Sequence, residues 1–339
     1  VTVTPWRPTP GSATGVGSLP GTEPREAAAL VTGELPDLPH LPELPGRGPG
    51  ADMLGRAGSL LVDLHVDLQP SGWRLVDRAG MDERRARSYL GQDLDELESH
   101  ADGFVGPVKL QVCGPWTAAA ALQLPRGEPV LKDPAAVRDL VASLTEGLLL
   151  HVRDLRARLP GAEPVLQLDE PSLPAVLAGA VRSSSGATTV APVKETDAED
   201  VLSALVAAVG VPVVVHCCAA RPPVGLARRA GAAGVSVDLT LLGQDMDDEL
   251  GEAVESGLVL LAGLVPSVAG GRGSMSGVAA TVEPVRQLWV RLGLDRQRLV
   301  DQVVVTPTCG LAGASPPHAR AALTMAREAA RALTEMEVS

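Results

Sequence analysis

One rhythm runs through the amino-acid sequence: short apolar stretches of strand length alternate with longer stretches of helical period. In order the apolar stretches are ATGVGSLP (13–20), SLLVDLHVDL (59–68), GPVKLQVCGP (106–115), EPVLQLDEP (163–171), VPVVVHCC (211–218), GVSVDLTLL (234–242), LVLLAGLVPS (258–267) and QVVVTPTCGL (302–311). Runs that are β-branched and apolar on both faces belong to parallel sheets covered by helices. Strand, crossover helix and parallel strand wind right-handed and close naturally at eight. The count therefore predicts an α/β chain folded as one (β/α)8 TIM barrel over residues 1–339. An open, doubly wound sheet is the alternative, since short runs are easily miscounted by one or two. Two segments fall outside the rhythm. Residues 1–12 read as an irregular lead-in, and ELPDLPHLPELPGRGPG (34–50), with proline at every third position, reads as an extended surface spacer.

Composition narrows the function classes. Hydrophobic residues make up 45% of the chain, yet there is one Phe, one Tyr and four Trp, so a large core must be packed with Leu, Val and Ala. A formal charge of −12 excludes the basic footprint of a nucleic-acid binder and gives no attraction to an anionic membrane. No apolar run approaches the roughly 18 residues of a membrane span. The opening VTVTPWRPTPGSATG lacks the charged and apolar regions of a signal peptide, which points to the cytoplasm. Four cysteines are too few for a disulfide framework in a chain of this length, so reduced thiols are expected.

If the runs are neighbouring strands of a barrel, chemistry collects at their C-terminal ends. The residues found there are Ser18, His65 and Asp67, Cys113, Asp169 and Glu170, His216 and Cys218, Asp238, and Cys309. On an extended chain residues i and i+2 share a side, so His216 and Cys218 can reach a common ion while Cys217 points away. With Asp238 and Cys309 they form a donor set suited to zinc. Two thiolates and a carboxylate leave such a centre electron-rich and a poor activator of water. It suits binding a substrate thiol and keeping its sulfur nucleophilic near neutral pH. Cys113 and Cys217 read as packing residues.

Taken together, TGVGSLP, LHVDL, LQLDEPSL, VVVHCC, GVSVDL and TPTCGL resemble the ordered motifs of the catalytic half of cobalamin-independent methionine synthase. That family shares its barrel with uroporphyrinogen decarboxylase and corrinoid methyltransferases, and the resemblance spans about residues 13–335. It implies zinc held by His216, Cys218 and Cys309, with Asp238 where the family has a ligating Glu. It implies that Ser18 holds the homocysteine carboxylate, and that Asp169 pairs with the ammonium group. Asp67, at the place of the Glu in the family's H-G-E motif, would share that ammonium. The implied reaction is methyl transfer to the homocysteine thiol to form methionine. The family's proposed acid, a histidine before the last Cys, has no counterpart, since no His lies between His216 and His318. Full-size members carry a second barrel for folate; one barrel's length points to a methylated corrinoid, free or protein-bound, as donor, with methyltetrahydrofolate open. The alternatives are methylation of another thiol or a decarboxylation on the same barrel, or a non-catalytic zinc-binding partner of a corrinoid protein.

Overall fold

The computed structural model describes residues 6–273 and 275–335, so residues 1–5 of the expected lead-in lie outside the described residues. The chain begins with α1 (Pro24–Glu34) and α2 (Met53–Leu60), then a hairpin of β1 (His65–Gln69) and β2 (Gly72–Val76), and α3 (Met81–His100). A repeating strand and helix pattern follows: β3 (Gly106–Cys113), α4 (Pro115–Ala121), α5 (Pro134–Arg158), β4 (Ala162–Asp169), α6 (Leu173–Leu177) and α7 (Glu195–Val209). It continues through β5 (Val213–Cys217), α8 (Val224–Arg229), β6 (Gly234–Asp238), α9 (Asp247–Glu255), β7 (Val259–Val265) and α10 (Val278–Leu292). The last elements are α11 (Arg296–Gln302), β8 (Val303–Pro307) and α12 (Pro316–Glu335). Among the described residues no helix is long and apolar enough to cross a membrane.

Local chemistry accounts for the element ends. Asp133 caps α5 by accepting from the amides of Ala135 and Ala136, Pro134 opens the helix, and Arg156 and Arg158 face the negative end of its dipole. Gly210, at φ 64°, closes α7 in the left-handed conformation that favours glycine.

Strands β3 to β8 form one curled parallel sheet of six strands in sequential order. Each edge of this sheet is met by an irregular extended segment. Beside β8, Thr14 N–H donates to Val305 O (3.1 Å) and Val305 N–H to Ser12 O (3.3 Å). Beside β3, Lys109 N–H donates to Pro39 O and Leu41 N–H to Lys109 O, both at 2.9 Å. The two segments also meet each other, through Leu19 N–H to Glu43 O (2.8 Å) and Glu43 N–H to Gly17 O (3.2 Å). The parallel sheet thus has six regular strands where eight were expected, and its two edges are met by segments that form only isolated bridges.

The stretch that lies beside β3 is not the one the apolar rhythm suggested. SLLVDLHVDL does not enter the sheet: its first residues end α2, whose N-cap Asp52 accepts from Gly55 N–H, and the rest pairs antiparallel with β2. In β1 only Val66 is buried, because Asp67 and Gln69 alternate with the apolar residues, the pattern of a strand covered on one face. The proline-rich segment is not a surface spacer. Leu35, Leu38, Leu41 and Leu44 are all at most 1% exposed, and His40 is fully buried between them. Prolines 36, 39, 42 and 45 have no N–H to give to a ladder, so the segment can make only isolated bridges.

One end of the sheet interior is closed by Trp6, Leu38, Val165, Val214, Ala233, Val259, Leu261 and Val304. The helical layer presses closely on the α2 exit: Ser143 of α5 donates to Val62 O (2.6 Å), and a Cβ at Gly147 would collide with the carbonyl of Leu60. Gly147→Ala should therefore lower unfolding free energy by about 2 kcal/mol, overpacking outweighing the better helix propensity of Ala. Denaturant titration should show a lower midpoint with an unchanged slope.

Candidate metal centre

The end of β5 places His216 between Asp169 of β4 and Ser236 of β6 in the sheet register. Its Nδ1 lies 3.2 Å from Ser236 O and 3.0 Å from Ser236 Oγ. A carbonyl only accepts, so Nδ1 carries the proton and Nε2 is left free as a ligand atom, the usual arrangement behind a metal-binding imidazole. Cys218 follows β5 by one residue and Cys309 follows β8 by two, and their sulfurs stand 3.6 Å apart. The donor atoms of His216, Cys218 and Cys309 all lie within 4.8 Å of one another. Two sulfurs bound at ~2.3 Å to one tetrahedral ion would be about 3.8 Å apart, so the donor set and spacing fit zinc. The thiols behave as a pair: contact with Cys218 and with His216 holds Cys309 down to about 4, while sharing with Cys309 and burial push Cys218 up. A thiolate beside an imidazole is the state a divalent ion would meet.

Asp238 stands outside this cluster. It closes β6, but its carboxylate accepts from Thr240 N–H (3.0 Å) and Thr240 Oγ1 (2.6 Å), capping the turn at Leu239–Leu241. Burial raises its carboxyl above the usual range, and the nearby charge of Cys309 adds to that, so it lies close to the ligands while engaged elsewhere. Cys113 and Cys217 are buried, as expected of packing residues, and all four cysteines are free.

Ser18 comes to the same end of the sheet. Leu311 N–H donates to Ser18 O (2.8 Å), and Gly310, next to Cys309, has no side chain because Ser18 Oγ occupies the place of its Cβ. Asp169 is 7% exposed and accepts from Gln167 Nε2 at 2.7 Å; burial raises its carboxyl, against the opposing pull of His216. Glu170, its neighbour, has a different task. Its two oxygens take the amides of Trp116 and Thr117 and the Thr117 hydroxyl, tying the start of α4 to the end of β4.

Asp67 lies on the hairpin, opposite Arg74 and accepting from Gln69 Nε2 (3.0 Å), and is not at the end of a sheet strand. The carboxylate on the second segment of the sheet is Glu43, which the apolar rhythm passed over because it sits among prolines. Glu43 bridges to Ser18 through the backbone, is 8% exposed, and lies 3.5 Å from Arg56, which is itself bound to Asp93. Burial pushes the Glu43 carboxyl up to about 7; Arg56 opposes this and the charge of Asp169 adds to it. Two buried carboxylates that resist ionising together make a site that gains from a bound cation.

A raised carboxyl means that the folded chain binds this proton more tightly than the unfolded one. Glu43 therefore lowers stability as pH rises from about 4.5 to about 7, and by its full amount above that. Glu43→Gln should be more stable than the parent at pH 8 by about 3 kcal/mol, with the difference closing near pH 4.5. Paired thermal melts across that range measure it.

The family profile described as "Cobalamin-independent synthase, Catalytic domain" matches residues 105–332. A search of curated proteins gives no match. Among solved structures, a B12-independent methionine synthase from Shewanella sp. W3-18-1, in complex with selenomethionine, superposes with a TM-score of 0.64 at 11% identity, covering 96% of this chain and 98% of that one. A methyltransferase from Methanosarcina mazei superposes with a TM-score of 0.57 at 16% identity, covering 96% of this chain and 94% of that one. At such identities the superpositions speak for the fold, and the profile, whose span includes His216, Cys218 and Cys309, speaks for the family. The chain belongs to the cobalamin-independent methionine synthase catalytic-domain family and is a methyltransferase.

Proposed function

We propose that the chain transfers a methyl group to the thiol of homocysteine, forming methionine, with zinc at His216, Cys218 and Cys309. The observation that carries this reading is the meeting of that ligand triad with Ser18 and two buried carboxylates at one end of the sheet. The same reading takes the six strands and the two irregular segments as a (β/α)8 barrel whose mouth is this site.

A zinc ion bound here supplies the Lewis acidity that keeps a captured thiol ionised near neutral pH. The protein's own groups do the rest. Ser236 holds the His216 ring in its ligand tautomer. Ser18, through its hydroxyl, meets the substrate carboxylate, and Asp169 with Glu43 meets the ammonium, so the sulfur is directed to the triad. The ammonium takes Glu43 in place of the hairpin's Asp67. Asp238 completes the centre if its side chain leaves Thr240. The thiolate attacks the methyl carbon in line; the new S–CH3 bond takes the sulfur lone pair, and the old bond leaves its pair on the donor. The donor is a methylated corrinoid, free or protein-bound, or methyltetrahydrofolate. The selenomethionine bound to the Shewanella protein is an amino acid of the shape this pocket would hold.

Zinc-loaded chain, homocysteine and each donor in turn should yield methionine with one donor, and omission of homocysteine should leave the donor unconsumed. Cys309→Ser should lose both the product and, in metal analysis of the purified protein, stoichiometric zinc. Full zinc with no homocysteine-dependent demethylation of any donor would favour a non-catalytic role beside a corrinoid protein.

A further inference from the structure

The interior of the sheet holds an ammonium group that the metal centre does not use. Lys109, in β3, is 0% exposed. Its Nζ donates to Val16 O (2.9 Å), Gln111 Oε1 (3.2 Å) and Gln167 Oε1 (2.8 Å). A buried cation kept for structure alone is ordinarily paired with a carboxylate. These three partners are neutral oxygens, one from the segment before Ser18, one from β3 itself and one from β4.

An ammonium has donors only, so both glutamine amides must turn their oxygens towards it and their NH2 groups away. The NH2 of Gln167 then donates to Asp169 Oδ1 (2.7 Å) and Val16 O (2.9 Å). The NH2 of Gln111 donates to Leu41 O, two residues before Glu43. Val16 lies two residues before Ser18, and the Lys109 backbone pairs with residues 39 and 41. One side chain thus orients the supports of Ser18, Glu43 and Asp169 together. Burial lowers the Lys109 ammonium to about 8, and the charges of Asp169 and Glu43 pull the other way, which keeps it charged at neutral pH.

We infer that Lys109 is a positioning residue for amino-acid recognition: by setting the direction of the Gln111 and Gln167 amides it aims Asp169 and Glu43 at the substrate's α-ammonium group. None of the three oxygens it donates to belongs to His216, Cys218 or Cys309. Without it the Gln167 amide is free to turn, and an oxygen in place of the NH2 would repel the Asp169 carboxylate. The inference rests on the amino-acid reading of the pocket proposed above.

Calorimetric binding to the zinc-loaded protein of L-methionine and of 4-(methylthio)butanoate, which lacks the ammonium, tests it. The parent should prefer L-methionine by about 100-fold, the scale of a buried charge pair. In Lys109→Met the preference should fall to about 5-fold or less. The thiolate-to-cobalt absorption of the cobalt-substituted protein should stay unchanged, which a general loosening of the site would not allow. Gln167→Glu keeps the volume and the acceptor for Lys109 but turns an oxygen to Asp169, and should lose the preference equally; it decides the matter if Lys109→Met does not fold. A folded Lys109→Met, or in its absence a folded Gln167→Glu, that keeps the parent's preference overturns the inference and leaves the amino-acid reading standing. A parent that does not distinguish the two ligands overturns that reading, and the inference with it.

Discussion

A layer of buried amides around one ammonium allows charged groups to work inside an otherwise apolar sheet. Lys109, Gln111 and Gln167 are at most 2% exposed, and each uses its donors on an oxygen at the right distance or in direct contact. Unpaired, any of them would cost more than the packing around it returns. Satisfied, they form a floor on which Asp169 and Glu43 rest without a full counterion.

The candidate metal centre is assembled on different terms. Its donor residues come from the ends of β5 and β8, two strands that are not neighbours, and the chain between Cys218 and Cys309 runs through β6 and β7 before returning. Curling of the sheet brings the two ends to one place. Ser236, one strand over, then selects the imidazole nitrogen that faces the sulfurs. His216 and Ser236 thus sit on regular, fully buried strands, while Cys218 and Cys309 lie just past the ends of β5 and β8.

Much of this was legible in the residues. Six apolar runs become the six parallel strands, and HCC and TCG mark the ends that meet, because runs buried on both faces leave polar residues only where the sheet stops. The hairpin and the proline-rich segment were harder to read. In 59–68 the apolar content of a strand is present, but its alternating Asp, His and Asp belong to a half-covered ribbon. In 34–50 the prolines hide a buried extended segment, and the visible trace of it is leucine at 35, 38, 41 and 44, every one of them covered. Lys109 and Gln111 sit two apart inside an apolar run, as do Gln167 and Asp169. That spacing places a polar stripe on one face of each strand and was the available sign of a polar interior. Glu43 carried no such sign, since its depth depends on contacts with Arg56 and Gly17 that are remote in sequence or set by the bridge to Ser18.

The two irregular segments have a mechanical consequence. Ser18 and Glu43 ride on backbone held by isolated bridges, whereas His216 belongs to a continuous ladder and Cys309 comes two residues after another. Local opening is cheapest where few backbone bonds must break together. The wall that would grip an amino acid is therefore tied by fewer cooperative backbone bonds than the wall that would hold an ion, and the spacing of the sulfurs rests on the more continuous of the two.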